Sequence, residues 1–456
     1  MIRPFVDINF QQIPTPLYKQ RDYNFDIDFV TSYRISSGWE SKTDKATIEF
    51  PKNIVIKGED NVPIFKMSGA SNVVLGGSGI PYTSGVIENI DSKGEPNKNA
   101  PLIMRGDVVT ISDGYYFKNE AGQDTNVGAL QFKGFVSSVG SKIPIEIELE
   151  DNFYLLKRTP FDKTFWSDTL LNLIVHVVEL VNENFNAKNS LYPLIKVYDK
   201  PDNLTAQFSL GYLDIDAGMS CCMVLEKLKS LCNLDSFFNE DVLHFGFPIY
   251  DEDTAISKNF FEIGNNIFDD PDLTYKNKDD FILSAIVTCS VIETSSKSTF
   301  DGVSKTKKSR LSVLVWWDSL TQDFKFINQN KGTSLSQLQK GNLAGDQEGG
   351  NMFKWPFPAS PTNPPSIQTL ANYGINQLKK YLYTGFRGSF KTFGYPFVNW
   401  NDNVNIVDKT FTDRNGQYKV KKTAREGGMD GITQEIFLDF KQQVSVPIDT
   451  VQIFML

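Results

Sequence analysis

The residues that most invite chemistry are Glu146, Glu148, Glu150 and Asp151, gathered at the end of the segment IPIEIELED. Positions i and i+2 of a strand share a face, so two of these carboxyls could flank a glycosidic bond as acid and base or as acid and nucleophile. The glutamates also alternate with Ile145, Ile147 and Leu149, which is how a strand with one wet face is written. The alternation is the better account, and no catalytic residue is assigned. With only His176 and His244 in the chain, there is no histidine cluster for zinc and little material for a histidine general base. His176 sits among apolar residues at helical spacing and reads as structural. Gly76, Gly77 and Gly79 are not followed by a lysine-serine or lysine-threonine pair opening a helix, so they mark a turn and not a phosphate loop. Asp269, Asp270, Asp272, Asp279 and Asp280 lack the spacing of a twelve-residue calcium loop, so no metal is specified. No cofactor is implied.

The elements that would position such residues are mostly strands. The first 150 residues alternate with period two at Tyr23 to Phe29, Ala46 to Phe50, Ile54 to Ile56, Val108 to Ile111, Gly128 to Val136 and Ile143 to Leu149. Short strands with glycine-rich turns predict a small barrel or sandwich. The period changes at Leu170, Leu171, Ile174, Val175, Val178 and Val181, which share one helical face. A second helix is predicted from Ser220 to Cys232, with Ser220 as its cap. Strands resume at Val242 to Phe247, Phe281 to Thr288, Ser312 to Trp317 and Phe324 to Ile327. The proline-rich stretch Met352 to Pro365 cannot continue a helix or a central strand and reads as a linker or a pinned arm. Helix Ile367 to Leu382 and a strand-rich unit from Phe386 onward follow. The resulting division is 1–160, 161–250, 251–350, 351–365 and 366–456.

Composition sets the outer limits. A chain of 456 residues, 40% hydrophobic and 22% charged, is long enough for several cores and is not a disordered polymer. Its net charge of -9 argues against wrapping nucleic acid. Charge is uneven: residues 235–280 carry twelve acids and three lysines, whereas residues 371–430 carry ten basic and five acidic residues. That polarity can steer subunits into register. Three cysteines near one helix, Cys221, Cys222 and Cys232, read as reduced thiols and not as a disulfide scaffold. No 18-residue apolar run and no signal-peptide pattern occurs, so stable membrane insertion is not expected.

The aromatic residues are the strongest functional hint. Adjacent aromatics on a strand point to opposite faces, so Trp316 and Trp317 need apolar cover on both sides, and a partner subunit can supply one of them. Phe390, Phe393, Phe397 and Trp400, rimmed by Arg387 and Arg414, form a second such group. These eight residues are the candidate assembly contacts.

Three segments carry a resemblance. The first joins Arg105 to Asp107, Gly134 to Val136 and IPIEIELEDNFYLLK. The second is MSCCMVLEKLKSLCNLDSFF with His244 to Gly246. The third is GSFKTFGYPFVNWNDNVNIVDKTFTDRNGQYKVKKT, Gly388 to Thr423. In their order and separation the chain resembles the tail hub family of bacteriophages and related injection machines, also called late control or baseplate hub proteins. The resemblance implies a mainly β fold with an α+β insertion: a first tube-like antiparallel barrel at 1–160, an inserted α+β domain at 161–250, a strand-rich middle at 251–350, a linker at 351–365, and a helix with a second tube-like barrel at 366–456.

The same resemblance implies a homotrimer whose two barrels per chain form a pseudo-sixfold ring. Such a ring would join a hexameric tail tube protein to a trimeric spike, fibre or distal tail protein, with the tape measure protein as a further candidate partner. DNA would pass through without specific binding, and the protein would belong to the virion after assembly in the host cytoplasm. No cell-wall hydrolase segment or β-prism follows, so the spike is expected to be separate. Two other classes remain to be weighed: a carbohydrate-binding host-adhesion protein using Trp39, Trp166, Trp355 or Trp400, and a peptidoglycan hydrolase using Glu146, Glu148 or Asp151.

Overall fold

Alternating apolar and polar residues carry most of this chain into antiparallel sheet. The computed structural model describes residues 2–16, 24–27, 30–39, 43–50, 103–118, 123–140, 144–198, 213–232, 236–245, 257–269, 271–277, 283–294, 306–318, 320–329, 351–357, 364–428 and 431–442, with the backbone of short strands between Asn53 and Pro101. It is mainly β, with a few helices. Gly76, Gly77, Asp270, Asp279 and Asp280, considered above for a phosphate loop or a metal, lie outside the described residues.

A 13-stranded sheet wraps two separate cores. The first half runs, in spatial order, through Asn24–Ile27, Arg3–Gln11, Val108–Lys118, Asp124–Val139, Ile145–Glu150, Lys45–Phe50 and Ser32–Gly38. Every second residue turns inward, and Ile8, Phe10, Ile48, Phe50, Ile111 and Ile147 are at most 1% exposed. Burying each such side chain stabilises by roughly 1.5–3 kcal/mol, and together they curl the sheet around one core.

The second half is built from Phe260–Glu262, Asn403–Val407, Gly416–Gly428, Gly431–Lys441, Ser389–Phe393 and Ile267–Asp269. A bridge between Ile263 and Ile267 brings its two ends together. Phe261, Phe390, Val404, Ile406, Tyr418 and Ile436 fill this core. Two strands of this half, Phe260–Glu262 and Ile267–Asp269, come from the chain before residue 277, and next in sequence Thr274–Lys276 pairs with Gly385–Arg387 in a separate two-stranded sheet. Sequence order had placed that stretch with the middle region. The reason is long-range pairing, which local periodicity does not report.

Between the two halves lies a helical unit. Helix Phe153–Arg158 follows the first half directly, and helix Leu170–Asn184 starts where the Thr169 side chain accepts the Asn172 amide. Helix Cys221–Cys232 is capped by Ser220, whose Oγ accepts the Met223 amide at 3.3 Å. Leu173, Ile174, Val177, Cys221, Leu225, Leu228 and Leu243 form its core. His176 lies at its edge, with Nε2 2.8 Å from Asp162 Oδ1 and its ring stacked on Trp166. Cys221 and Cys222 are buried free thiols, and burial pushes the Cys221 thiol up to about 12.

A four-stranded sheet completes the fold, in the order Asp323–Asn328, Thr306–Asp318, Leu283–Thr294, Asn351–Pro356. Two sequence expectations are corrected here. The first half of the expected linker, Asn351–Pro356, is an edge strand pairing parallel with Leu283–Thr294, and Phe357 N donates to Thr288 O at 2.7 Å. Proline is tolerated because Pro356 stands at the end of an edge strand, where a missing amide costs little. Helix Ile367–Tyr381, assigned from sequence to the second barrel, lies on this sheet instead. Leu370, Ala371 and Leu378 are buried against Val287, Val313 and Val315. Gly374 makes that approach close: a Cβ there would stand 2.8 Å from Val287 and 2.9 Å from Val315.

Candidate assembly interface

The two sheet halves are joined by one ladder. Strand Ser32–Gly38 closes the first half on one side and pairs antiparallel with Gly416–Gly428 on the other, from Ser32 opposite Gly428 to Gly38 opposite Lys422. Its sequence, SYRISSG, mixes small and polar residues because both of its edges are paired and only alternate positions face a core. Tyr33 and Ile35 are those positions. The Tyr33 ring lies directly over Gly427, where any Cβ would overlap it.

Beneath the ladder, a polar network crosses between the halves. Asp113, on strand Val108–Lys118, is fully buried, and Arg425, on strand Gly416–Gly428, is 4% exposed. Arg425 grips it through two bonds, Nε to Oδ2 at 2.5 Å and Nη2 to Oδ1 at 2.6 Å. This bidentate geometry is what makes burying two charges tolerable. Two further bonds hold Arg425: Nη2 reaches Gly394 O at 2.9 Å and Nη1 reaches Gln434 Oε1 at 3.2 Å. Gln434 in turn donates to the carbonyls of Phe393 and Pro396. Tyr33 donates its hydroxyl to Asp113. Tyr115 donates to Ile432 O and accepts from Gly394 N. Burial alone would lower the Arg425 pKa, but the hydrogen bonds and charge of Asp113 outweigh it and hold the guanidinium above its ordinary value.

A second acidic cluster sits at the far end of the same strand. Asp44 accepts from Ser37 Oγ at 2.5 Å and from Gly38 N at 3.1 Å. Asp151 accepts from Asp44 N at 3.0 Å and from Phe153 N at 3.0 Å. A cavity of about 400 Å³ opens beside them, lined by Ser36, Thr43, Lys45, Phe153, Lys157, Cys222 and Glu226.

The eight residues expected to make assembly contacts do not form one surface. Phe390 is 1% exposed, packed on Phe261 inside the second core, and is no surface contact. Trp317 packs on Phe324 on the helix-covered side of its sheet, while Trp316 points to the opposite side and is half-buried. Arg387 is an internal strut: its guanidinium lies 4.0 Å from the Tyr383 ring centre and donates to the carbonyls of Tyr381 and Tyr383. Arg414 covers Phe411 and Tyr275. Phe397 lies under Arg425 at 5.3 Å. Trp400 meets Phe237 of the helical unit edge-on at 5.5 Å. Phe393 alone of the eight is a strongly exposed hydrophobic residue, at 53%, beside Phe268 at 48% with ring centres 5.2 Å apart.

The residues weighed for other functions are dispersed as well. Glu146 and Glu148 point outward, with Glu148 held by Ser138 Oγ, while Asp151 turns inward to Asp44. Trp166 belongs to the helical core, Trp355 stacks on Phe353 and Tyr381, and Trp400 packs on Phe237, so these three line no common groove. Sequence reading missed Asp113, Arg425, Tyr33 and Gln434. No local signal marks Asp113 and Arg425 as partners, since 312 positions separate them.

No protein-family model matches the chain, and no curated protein sequence matches it. Among solved structures, the chain is similar to the prophage MuSo2 43 kDa tail protein from Shewanella oneidensis, with a TM-score of 0.45 and 10% identity over 95% of this chain and 98% of that one. It is also similar to a tail protein from Neisseria meningitidis MC58, with a TM-score of 0.44 and 10% identity over 96% and 97% of the two chains. A third similar structure is a chain of the half-lidded Francisella PdpA-VgrG complex, with a TM-score of 0.43 and 8% identity, of which this chain covers 59%.

Proposed function

We propose that the protein is a structural tail hub subunit that works by symmetry and not by covalent chemistry. The observation that carries this reading is the fused pair of sheet halves. Two curled antiparallel units are held edge to edge by the ladder of Ser32–Gly38 on Gly416–Gly428 and clamped by Asp113 and Arg425. A chain that fixes two such units side by side can present six nearly equivalent positions when three copies close a ring. A ring of that kind meets a hexameric tube on one face and a trimeric spike, fibre or distal component on the other. DNA passes through its lumen without being held.

The contact set is narrower than sequence alone suggests. Phe393 and Phe268 form the outward aromatic pair, and Phe390 and Arg387 serve the interior. Measuring the mass of the full chain in solution and in assembled particles tests the reading. Trimers, free or formed beside a tube or spike partner, are expected. A stable dimer under both conditions would overturn the threefold ring, and clearing of peptidoglycan in a gel assay would overturn the non-enzymatic role.

A further inference from the structure

We propose that the hairpin Ser236–Phe245 of the helical unit is a strap that braces the bend from which the seam strand departs, so that the helical unit governs how readily the two sheet halves open. The bend lies at Val420. Strand Gly416–Gly428 pairs with Asn403–Val407 as far as Lys419, and from Lys422 onward it leaves that partner for Ser32–Gly38. Its ladder with Gly431–Lys441 shifts register on both sides of Val420. A strand that changes partner between two register shifts bends there, and the bend sets the direction in which the ladder to the first half runs.

The turn that carries Trp400 is fastened to this bend. Asn401 N donates to Val420 O at 2.8 Å, and Val420 N donates to Asp402 O at 3.0 Å. The turn is stiff in its own right. Asn399 N donates to Asp402 Oδ2 at 2.7 Å, and Asn401 takes a left-handed φ of 71°, which asparagine tolerates better than most residues. Val398, just before the turn, is buried in the second core. Trp400 therefore has little freedom to move without Val420.

The helical unit meets that ring with one side chain. Phe238 and Leu243 stand opposite each other in the hairpin and face the core of their own unit, while Phe237 and His244 stand opposite each other on the other face. Phe237 is nonetheless only 3% exposed. His244 stacks on it at 5.0 Å, and Trp400 meets it edge-on at 5.5 Å. The rest of the hairpin is fastened to the first half and to the helix that follows it. Asp241 accepts from Lys133 Nζ at 2.8 Å, on strand Asp124–Val139, and from Asn152 Nδ2 at 3.2 Å. Asn152 also donates to Glu240 O at 2.9 Å, and Phe238 packs edge-on against Phe153 at 5.2 Å. One hairpin thus holds the first half at its tip and the bend of the second half at Phe237, and it spans the seam without belonging to the ladder.

This arrangement couples the strap to the seam. Opening the ladder between Ser32–Gly38 and Lys422–Gly428 swings the strand about Val420, and that motion pulls Trp400 off Phe237. The open state loses the ring contact as well as the ladder, so removing the ring makes opening easier without altering a residue of the ladder.

Hydrogen exchange tests the strap in the full chain before assembly, where no ring of subunits and no partner is needed. Trp400→Ala and Phe237→Leu are each expected to speed exchange at the Arg34–Gly38 and Lys422–Glu426 amides about three- to tenfold, the size of one aromatic pair. Helix Leu170–Asn184 and strand Ser389–Phe393 should keep their wild-type rates. Both substitutions break the same contact, so the double variant should exchange at the seam no faster than the faster single one. If Trp400→Ala does not fold, Trp400→Leu takes its place in the comparison. Wild-type seam exchange in a folded variant, acceleration spread evenly over the second half, or two effects that multiply in the double variant would each overturn the strap.

Discussion

Two acidic sites lie at the ends of the ladder made by strand Ser32–Gly38, one around the fully buried Asp113 and one around the half-buried Asp44 with the buried Asp151, and they answer their charge in different ways. Near Tyr33, Asp113 meets a guanidinium that arrives from the other half of the sheet. Near Ser37 and Gly38, Asp44 and Asp151 meet amides, a hydroxyl and each other. The first site is balanced by charge, and its hold on the seam needs no proton. At the second, desolvation raises both carboxyl pKa values, so the contribution of the site to stability should decline as pH rises. Residue type and burial therefore do not determine what a buried aspartate does. The identity of the group that answers its charge does.

Removing the counter-charge at the first site should give the largest effect. Arg425→Met leaves Asp113 buried beside Tyr33 with no cation, at a cost of about 3–5 kcal/mol. The variant should also acquire the behaviour of the second site, becoming more stable as pH falls. Adding Asp113→Leu should recover most of the loss, since replacing both members of a buried pair by apolar groups is far milder than removing one. Denaturant titration of the single and double variants at two pH values checks this. Simple additivity of the two substitutions would break the contrast drawn between the sites.

Tyr33→Phe is the next step down. It removes one hydrogen bond to Asp113 while keeping the ring over Gly427, and a loss of about 1.5–3 kcal/mol is expected because the acceptor is charged. The pH profile should keep its wild-type shape, since the Asp44 and Asp151 pair is untouched. A changed profile would mean that the two ends of the strand are coupled. Arg34→Ala should matter least to the fold. Its ion pair with Glu426 bridges the same ladder, but both side chains are more than half exposed, and such pairs contribute at most about 1 kcal/mol.

Much of this arrangement was legible in the sequence. The helix start at Ser220 follows from capping chemistry, the helix through Leu170 to Val181 from apolar spacing, and the strands from Val108 onward from alternation, whereas the caps Thr169 and Ser366 were not read from sequence. The joining strand was not legible, because SYRISSG lacks an apolar run and owes its conformation to partners on both edges. Asp113 reads as a polar position in an amphipathic strand, and Arg425 as one more basic residue in KVKKTAREGG. Their burial exists only once the two halves meet. The same holds for Phe390 and Phe393, which look alike in GSFKTF. Chain position does not tell which face of strand Ser389–Phe393 fills a core, and the structure sends Phe390 inward and Phe393 outward.

That last pair gives the finest test, one that separates the seam from the surface above it. Phe393 contributes its backbone carbonyl to the Gln434 side of the Arg425 network, while its side chain turns out to meet Phe268. Phe393→Ala keeps the carbonyl and removes only the exposed ring, so the fold should change by no more than about 0.5 kcal/mol. Assembly should respond differently if the aromatic pair is covered by a partner, because truncating a central interfacial aromatic costs about 2 kcal/mol or more. Trp400→Ala should show the reverse balance, since its ring is already engaged by Phe237 within the chain. Unfolding measurements paired with quantification of subunits incorporated into particles separate the two effects. If Phe393→Ala both folds and assembles like the wild type, the exposed aromatic pair is ordinary surface, and the contacts between copies must be sought elsewhere on the sheet.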